Sequence, residues 1–454
     1  MWNEKRAVLI SAGLSSFLTP FMGSALNVAI PAIGREMHAT AVVVSWVISA
    51  YLLSSAVFLL PFGRLADMLG RKRLFLAGVM LFGVTSVLCA VSPSAGALIL
   101  SRVVQGIGGA MIFSTAVSLI TSALPPGERG RALGYNTAMV YTGLSVGPVV
   151  GGLLTQQASW RMIFVVVAVL ALLTWLYARR IRSEWAPAQG ERFDTTGAVL
   201  YCLALSLLMS AVTLRSAGLV LGAVAVALVV AFGAVESRQE HPLLDLQMFR
   251  ESTVFTFSTL AALLNYGATF SVGYLLSLYL QTVRGFSPQS TGLLLLIQPV
   301  VQAVFSPLAG ALSDRVEPRV VASAGMLLTA LCLLAYAFMP YQIPLEWLAG
   351  LLALSGLGFA LFSSPNVNAI MSAVQSQRYG VASSVVSTAR MLGQSLSMAM
   401  ILLIFAVTMH GLPLSPEHGG LLFSSMRIAF GVSTVLCLLG VFASLARGRM
   451  HSPQ

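Results

Sequence analysis

Apolar runs of about 20 residues recur fourteen times along this chain, each long enough to cross a bilayer core of roughly 30 Å as one helix. They lie at about 8–31, 42–62, 74–92, 97–122, 133–155, 161–178, 197–213, 218–235, 254–279, 290–312, 320–339, 346–371, 380–408 and 424–446. With 57% hydrophobic and only 9% charged residues, a water-soluble fold could not hide this much apolar surface. Inside a bilayer every backbone donor and acceptor must bond within the protein, so spans of this length are helices. The expected class is an all-α polytopic membrane protein.

The net charge of +11 would point to nucleic acid in a soluble protein. Here the basic residues sit in short loops, where membrane orientation accounts for them. With the N-terminus inside, the inner segments carry nineteen Lys and Arg and the outer segments five. Arg102 and Arg390 fall within spans. This asymmetry predicts cytoplasmic N- and C-termini and a place in the cell (inner) membrane. Cys89, Cys202, Cys332 and Cys437 all lie in spans and read as small packing residues, not as a disulfide framework.

The charged turn Gly63-Arg64-Leu65-Ala66-Asp67-Met68-Leu69-Gly70-Arg71-Lys72-Arg73 joins the second and third spans. A weaker copy, Gly310-Ala311-Leu312-Ser313-Asp314-Arg315, begins 247 residues later. The repeat implies two related halves. The seventh and eighth spans carry almost no polar residues and lie between the longest inner loops, 179–196 and 236–253. Setting them aside leaves six spans on each side. The expected division is an N-terminal six-helix bundle over 1–180, a linker with two extra membrane helices over 181–253, and a C-terminal six-helix bundle over 254–454.

Polar residues recur at helical spacing inside several spans: Ser11, Ser15, Thr19, Gly23 and Asn27; Arg102, Gln105 and Gly109; Gln298, Gln302 and Ser306; Ser383, Ser387, Arg390 and Gln394. Such positions share a helix face. A polar face in lipid is costly, so these faces look either to a water-filled cavity or to a packed neighbour. Ser, Thr and Gly suit both. Asn265, Gln298, Gln302, Asn366 and Asn368 favour a cavity. Arg390 lies about ten residues into its span, roughly 15 Å deep at 1.5 Å per residue. Arg102 is near enough to the outer edge to snorkel, and either arginine could instead bridge helices. Tyr266, Phe270 and Tyr274, four apart, form either a packing seam or one wall of a pocket for a flat ligand. None of the fifteen acidic residues sits mid-span, and the five histidines lie in loops or at span edges.

The fifth span contains Gly143-Leu144-Ser145-Val146-Gly147-Pro148-Val149-Val150-Gly151-Gly152. Glycines 143, 147 and 151 permit close helix approach, and Pro148 bends the helix. Taken in order with Asn27-Val28-Ala29-Ile30-Pro31, the turn 63–73, Arg102 to Gly109, Trp160-Arg161-Met162-Ile163-Phe164 and Arg390 to Leu396, this run resembles the major facilitator superfamily. The similarity is to its fourteen-helix drug:proton antiporter branch, and it spans the whole chain.

The resemblance implies two six-helix bundles around a central cavity that opens to each side in turn. It implies a substrate cavity drawing on Asn27, Arg102, Gln105, Asn265, Tyr266, Phe270, Tyr274, Gln298, Gln302, Asn366, Arg390 and Gln394. It also implies gating by Gly63, Asp67, Gly70, Arg71, Arg73, Gly143, Gly147, Pro148, Gly151, Asp314 and Arg315. One departure matters. The branch usually has an aspartate five residues before the Asn of Asn-Val-Ala, where this chain has Met22. That acid is linked in the family to proton coupling and to cationic drugs.

The expected function is secondary export of small amphiphilic compounds, by proton antiport. The alternative is export of an organic anion or neutral metabolite without carboxylate-based coupling. No catalytic His/Cys/Asp/Glu cluster and no P-loop supports an enzyme. The expected partners are a small-molecule substrate, the lipid bilayer and protons. No cofactor, no metal and no nucleic acid is expected, and the chain should act as a monomer.

Overall fold

The computed structural model describes residues 2–213, 218–239, 242–244, 247–374, 379–409 and 411–448. It is helical throughout, as backbone satisfaction in lipid requires. The first half runs α1 (Trp2–Glu36), α2 (Ala41–Leu69), α3 (Arg71–Ala90), α4 (Ala95–Ala123), α5 (Pro126–Gln157), α6 (Arg161–Ala178), α7 (Thr195–Thr213) and α8 (Gly218–Glu236). The short α9 (Gln247–Glu251) precedes α10 (Thr253–Thr269) and α11 (Ser271–Leu278), which continue as a π-helical turn, Tyr279–Val283. Then follow α12 (Pro288–Leu295), α13 (Ile297–Arg315), α14 (Pro318–Ala337), α15 (Leu345–Ser372), α16 (Tyr379–Thr408) and α17 (Gly419–Ala446).

The helix starts follow local chemistry. Ser94 accepts from the Ala97 amide, Ser252 from Phe255 and Ser287 from Ser290, each satisfying an orphan donor of the first turn. Pro126, Pro288 and Pro318 occupy first-turn positions, where a missing N–H costs nothing.

Among the described residues, twelve helices are long and apolar enough to cross a membrane. The expected count was fourteen. The remaining two, α7 and α8, are apolar, but their qualifying stretches, Thr195–Leu208 and Val220–Glu236, are shorter. They pack on each other and leave Val199, Leu203, Val220, Val226 and Val230 about half exposed or more.

The chain divides into two compact units. The first comprises 1–26, 43–147 and 154–246; the second comprises 27–42, 148–153 and 247–454. In the first, α3 packs against α4 and α6 around Phe75, Phe82 and Phe164, all fully buried. The helix pair α7–α8 belongs to this unit, and Tyr201 of α7 donates to the Ala56 carbonyl of α2 at 2.9 Å. In the second, α15 packs between α13 and α14, and α10 lies against α15, α16 and α17. The four cysteines are free, as expected of packing residues.

Candidate functional site

In the first unit a buried polar cluster surrounds Arg102, which is 1% exposed. Its Nε donates to the Val47 carbonyl at 2.9 Å and its Nη1 to Met22 Sδ at 3.0 Å and to Gln105 Oε1. Gln105 in turn donates to Ser86 Oγ at 2.7 Å. The guanidinium carbon stands 4.3 Å from the Tyr51 ring centre, a cation–π contact. Arg102 therefore does not snorkel. It bridges α4 to α1 and α2, through acceptors that carry no charge. One of these acceptors is Met22, at the position where the family resemblance leads to the expectation of an aspartate. Gly106 and Gly109 on the same helix bring α2 close: a Cβ on Gly109 would lie 2.7 Å from the Tyr51 hydroxyl.

The hydroxyl stripe of α1 resolves mostly into packing. Ser11 and Ser15 donate back to Ala7 and Ala12 carbonyls of their own helix, the usual outlet for such residues in a membrane helix. Thr19 Oγ1 is buried without a partner.

The charged turn between α2 and α3 is fastened within its own unit. Arg71 Nε pairs with Asp67 Oδ1 at 2.8 Å, and its Nη1 reaches Ser122 of α4. Residues 181–194 lie across the turn as a strap. The Arg71 amide donates to the Trp185 carbonyl and the Ala188 amide to the Asp67 carbonyl. Glu184 accepts from the Lys72 and Arg73 amides at 2.8 and 3.2 Å and lies 3.8 Å from the Arg73 guanidinium. Arg64 pairs with Glu191. Gly70 has φ +115, and a Cβ there would stand 2.6 Å from the Glu184 carboxyl carbon. Gly70→Ala should therefore destabilise the protein by about 1–3 kcal/mol, read as a lower melting temperature in detergent. In the copy of this turn, Arg315 is exposed; the Asp314 side chain lies outside the described residues, as does that of Ser383.

The glycines of α5 divide their work. Gly143 and Gly147 press on α1: Cβ atoms there would come 3.1 Å from the Phe21 amide nitrogen and 2.8 Å from its carbonyl oxygen. Gly152, the neighbour of the expected Gly151, faces Pro288, while Pro148 sits against Gly292. These last contacts belong to the second unit.

The second unit holds the remaining expected cavity residues. Asn265 is fully buried, and neither its Oδ1 nor its Nδ2 has a partner, an arrangement that costs about 1–3 kcal/mol unless a ligand or water supplies the bonds. Tyr266 stacks edge-on against Phe359, and Gly393 lets α16 press on it, a Cβ there standing 2.9 Å from the Tyr266 Cβ. Phe270 is half-buried, and Tyr274 is fully buried beside Phe405. Gln302 is buried; Gln298, Arg390 and Gln394 are half-buried. Asn27 Oδ1 is buried without a partner, near Gly273.

Asn366 is held elsewhere. Its Nδ2 donates to the Ser258 carbonyl and its Oδ1 accepts from Arg447 at 3.0 Å. Arg447 is itself 1% exposed and also donates to the Pro318 carbonyl and to the hydroxyls of Ser258 and Ser444. The sequence reading counted Arg447 only as a basic flank; Ser444, one turn back on the same face, was the available signal. Burial pushes this guanidinium down to about 10. Arg447→Met should leave Asn366 Oδ1 without its donor, at a cost of about 1–3 kcal/mol, visible as a lower melting temperature. The reading also missed Gln281 in the π turn, which donates to the Val28 carbonyl at 2.8 Å and to Ser277. Single π turns often mark functional positions.

Two cavities are outlined in the first unit. One of about 560 Å³ is lined by Glu4, Arg6, Ala7, Ile10, Tyr177, Arg180 and Arg182. The other, about 540 Å³ and almost wholly apolar, lies between α3 and α6. Neither contains the expected substrate residues.

An all-helical chain with twelve apolar helices long enough to cross a membrane, among the described residues, has the fold class of polytopic membrane proteins. The chain belongs to the Major Facilitator Superfamily, whose sequence profile matches residues 12–398 and 258–453; it is a secondary transporter. It is 34% identical over 407 residues to the multidrug resistance protein Stp of Mycobacterium tuberculosis (strain CDC 1551 / Oshkosh), covering 87% of this chain and 74% of that protein. It is 27% identical over 445 residues to the riboflavin transporter RibZ of Clostridioides difficile (strain 630), covering 98% and 97%. Among solved structures it resembles a bacterial homolog of the human lysosomal transporter Spinster, with a TM-score of 0.70 at 17% identity over 98% of this chain and 97% of that one. That likeness concerns the fold.

Proposed function

We propose that this protein exports small, flat amphiphiles that are neutral or anionic, across the cell membrane. The observation that carries this reading is the environment of Arg102. A buried guanidinium held only by a carbonyl, a thioether and an amide keeps its positive charge, and a cation entering nearby would meet repulsion. The aromatic residues Tyr266 and Phe270 and the unpartnered amide of Asn265 suit a planar ligand with its own donors and acceptors. The relative that transports riboflavin handles a compound of this shape. In this reading α7 and α8 also cross the membrane, giving fourteen spans with both termini cytoplasmic. The polar residues of the two bundles are exposed to the two sides in turn, and Asp67 and Asp314 contribute to the switch.

The second reading is export of cationic drugs by proton antiport, favoured by the similarity to Stp. Transport into everted vesicles separates the two. A panel of planar neutral, anionic and cationic compounds would be tested with and without an imposed pH gradient. The neutral and anionic members should accumulate and the cations should not. Movement of cations alone would overturn the proposal.

A further inference from the structure

Outside the polar residues already described, two carboxyl groups meet at one end of the α7–α8 pair. Asp194 precedes the first turn of α7, and Glu236 is the last residue of α8. They are 7% and 3% exposed. Each spends one oxygen on local structure. Asp194 Oδ1 accepts from the Gly197 amide at 2.9 Å, capping α7, and from Gln239 Nε2 at 3.4 Å. Glu236 Oε2 accepts from the Leu244 amide at 3.2 Å and so holds the chain that follows α8. The other two oxygens, Asp194 Oδ2 and Glu236 Oε1, are buried and have no partner. They bracket the same point: a Cβ placed on Gly197 would collide with Asp194 Oδ2 and lie 2.6 Å from Glu236 Oε1. Both oxygens therefore border the space over Gly197, which a side chain there would fill.

Two ionised carboxylates whose unpartnered oxygens border one buried space repel strongly. One proton placed between them removes the repulsion and satisfies both oxygens, one as donor and the other as acceptor. We infer that Asp194 and Glu236 bind a single shared proton, which makes this end of the α7–α8 pair a protonation site separate from the Arg102 cluster.

The surroundings support a proton over a fixed counter-charge. The charged neighbours on the strap are Arg192, which is exposed, and Glu191, which is paired with Arg64. On the α8 side Arg238 is exposed. Glu240, His241 and Asp245 in the following loop lie outside the described residues. Glu236 is the last residue of α8, and burial, opposed by the Leu244 and Leu243 amides and reinforced by the Asp194 carboxylate, pushes it up to about 7. The sign follows. A carboxyl raised in the fold contributes its stabilisation fully below its ordinary value of 4.5 and loses it as the pH climbs through about 7.

The test is pH-difference infrared spectroscopy of the full-length chain in lipid. A protonated carboxyl band should disappear with a midpoint near 7, amounting to one proton per chain, and be absent from Glu236→Gln. Asp194→Asn, which keeps the cap, should move the midpoint to lower pH. Because the wild-type titration is itself the readout, misfolding of either variant leaves the test intact. No band titrating between about pH 5.5 and 8.5, or a midpoint displaced by sodium or calcium at constant ionic strength, would overturn the inference. The second result would mean that a metal ion sits between the oxygens.

Discussion

Replacing Met22 with aspartate should reverse the charge preference of the carrier. Met22 is 1% exposed, and its sulfur touches the Arg102 guanidinium. A carboxylate at that position would pair with the arginine and cancel the one uncompensated charge of the cluster. Efflux of cationic dyes should rise at least tenfold and become dependent on the pH gradient, while efflux of anionic amphiphiles falls by a similar factor. Vesicle assays with matched cationic and anionic fluorophores measure both. The converse change, Arg102→Met, should abolish transport of anions, a loss of at least a hundredfold. It also removes the bonds from Arg102 to Gln105 Oε1 and to the Val47 carbonyl, so protein levels in the membrane must be measured alongside. Arg102→Lys should rescue little, because an ammonium cannot reproduce the planar fork that reaches α1, α2 and Gln105 together. An unchanged charge preference in Met22→Asp would show that Arg102 does not select substrate.

The second large effect is expected at Gly292. A Cβ there would overlap the Pro148 carbonyl oxygen and stand 2.7 Å from its carbon, against backbone that cannot rotate away. The approach is reciprocal, since Gly152 meets the backbone of Pro288 in the same way. Gly292→Val must part the turn of α5 from the start of α12. Transport should fall at least tenfold while the protein still inserts, since few other contacts are touched. Gly267→Ala is the control. Its Cβ would meet only the Gly393 carbonyl, at 3.7 Å, so transport should stay near the wild-type rate. Equal loss in both variants would mean that the α5–α12 approach has no special role.

The helices and the family were legible because membrane burial demands long apolar runs and the motifs fall at fixed turns and crossings. Gly143 and Gly147 of α5 were legible for the same reason, since only a missing side chain permits backbone that close, whereas the third close approach falls to Gly152, one residue past the expected Gly151. What could not be read was which polar residue meets which. Asn366 and Asn265 look alike in sequence, yet one is saturated by Arg447 and Ser258 and the other has no partner. Their difference is set by a residue 81 positions away. Likewise Asp194 and Glu236, 42 residues apart in loops where acids are ordinary, become unusual only when α7 and α8 fold back together. For Arg102, depth alone left snorkelling and helix bridging equally open, and the structure shows the bridge. Its distance from the span edge permitted snorkelling, but Val47, Met22 and Tyr51 offered nearer acceptors.

The strap over 181–194 bears on how the extra helix pair is joined to the first repeat. Glu184 and Glu191 are fastened to the basic turn of the first repeat, so this stretch is no passive spacer. A deletion that shortens the chain to the twelve-helix pattern by joining 180 to 254 would unlace that turn as well. One that removes only 195–236 would leave the lacing whole. The leading edge of the α7–α8 stretch is thus tied to the turn between α2 and α3, so the two cannot be altered independently.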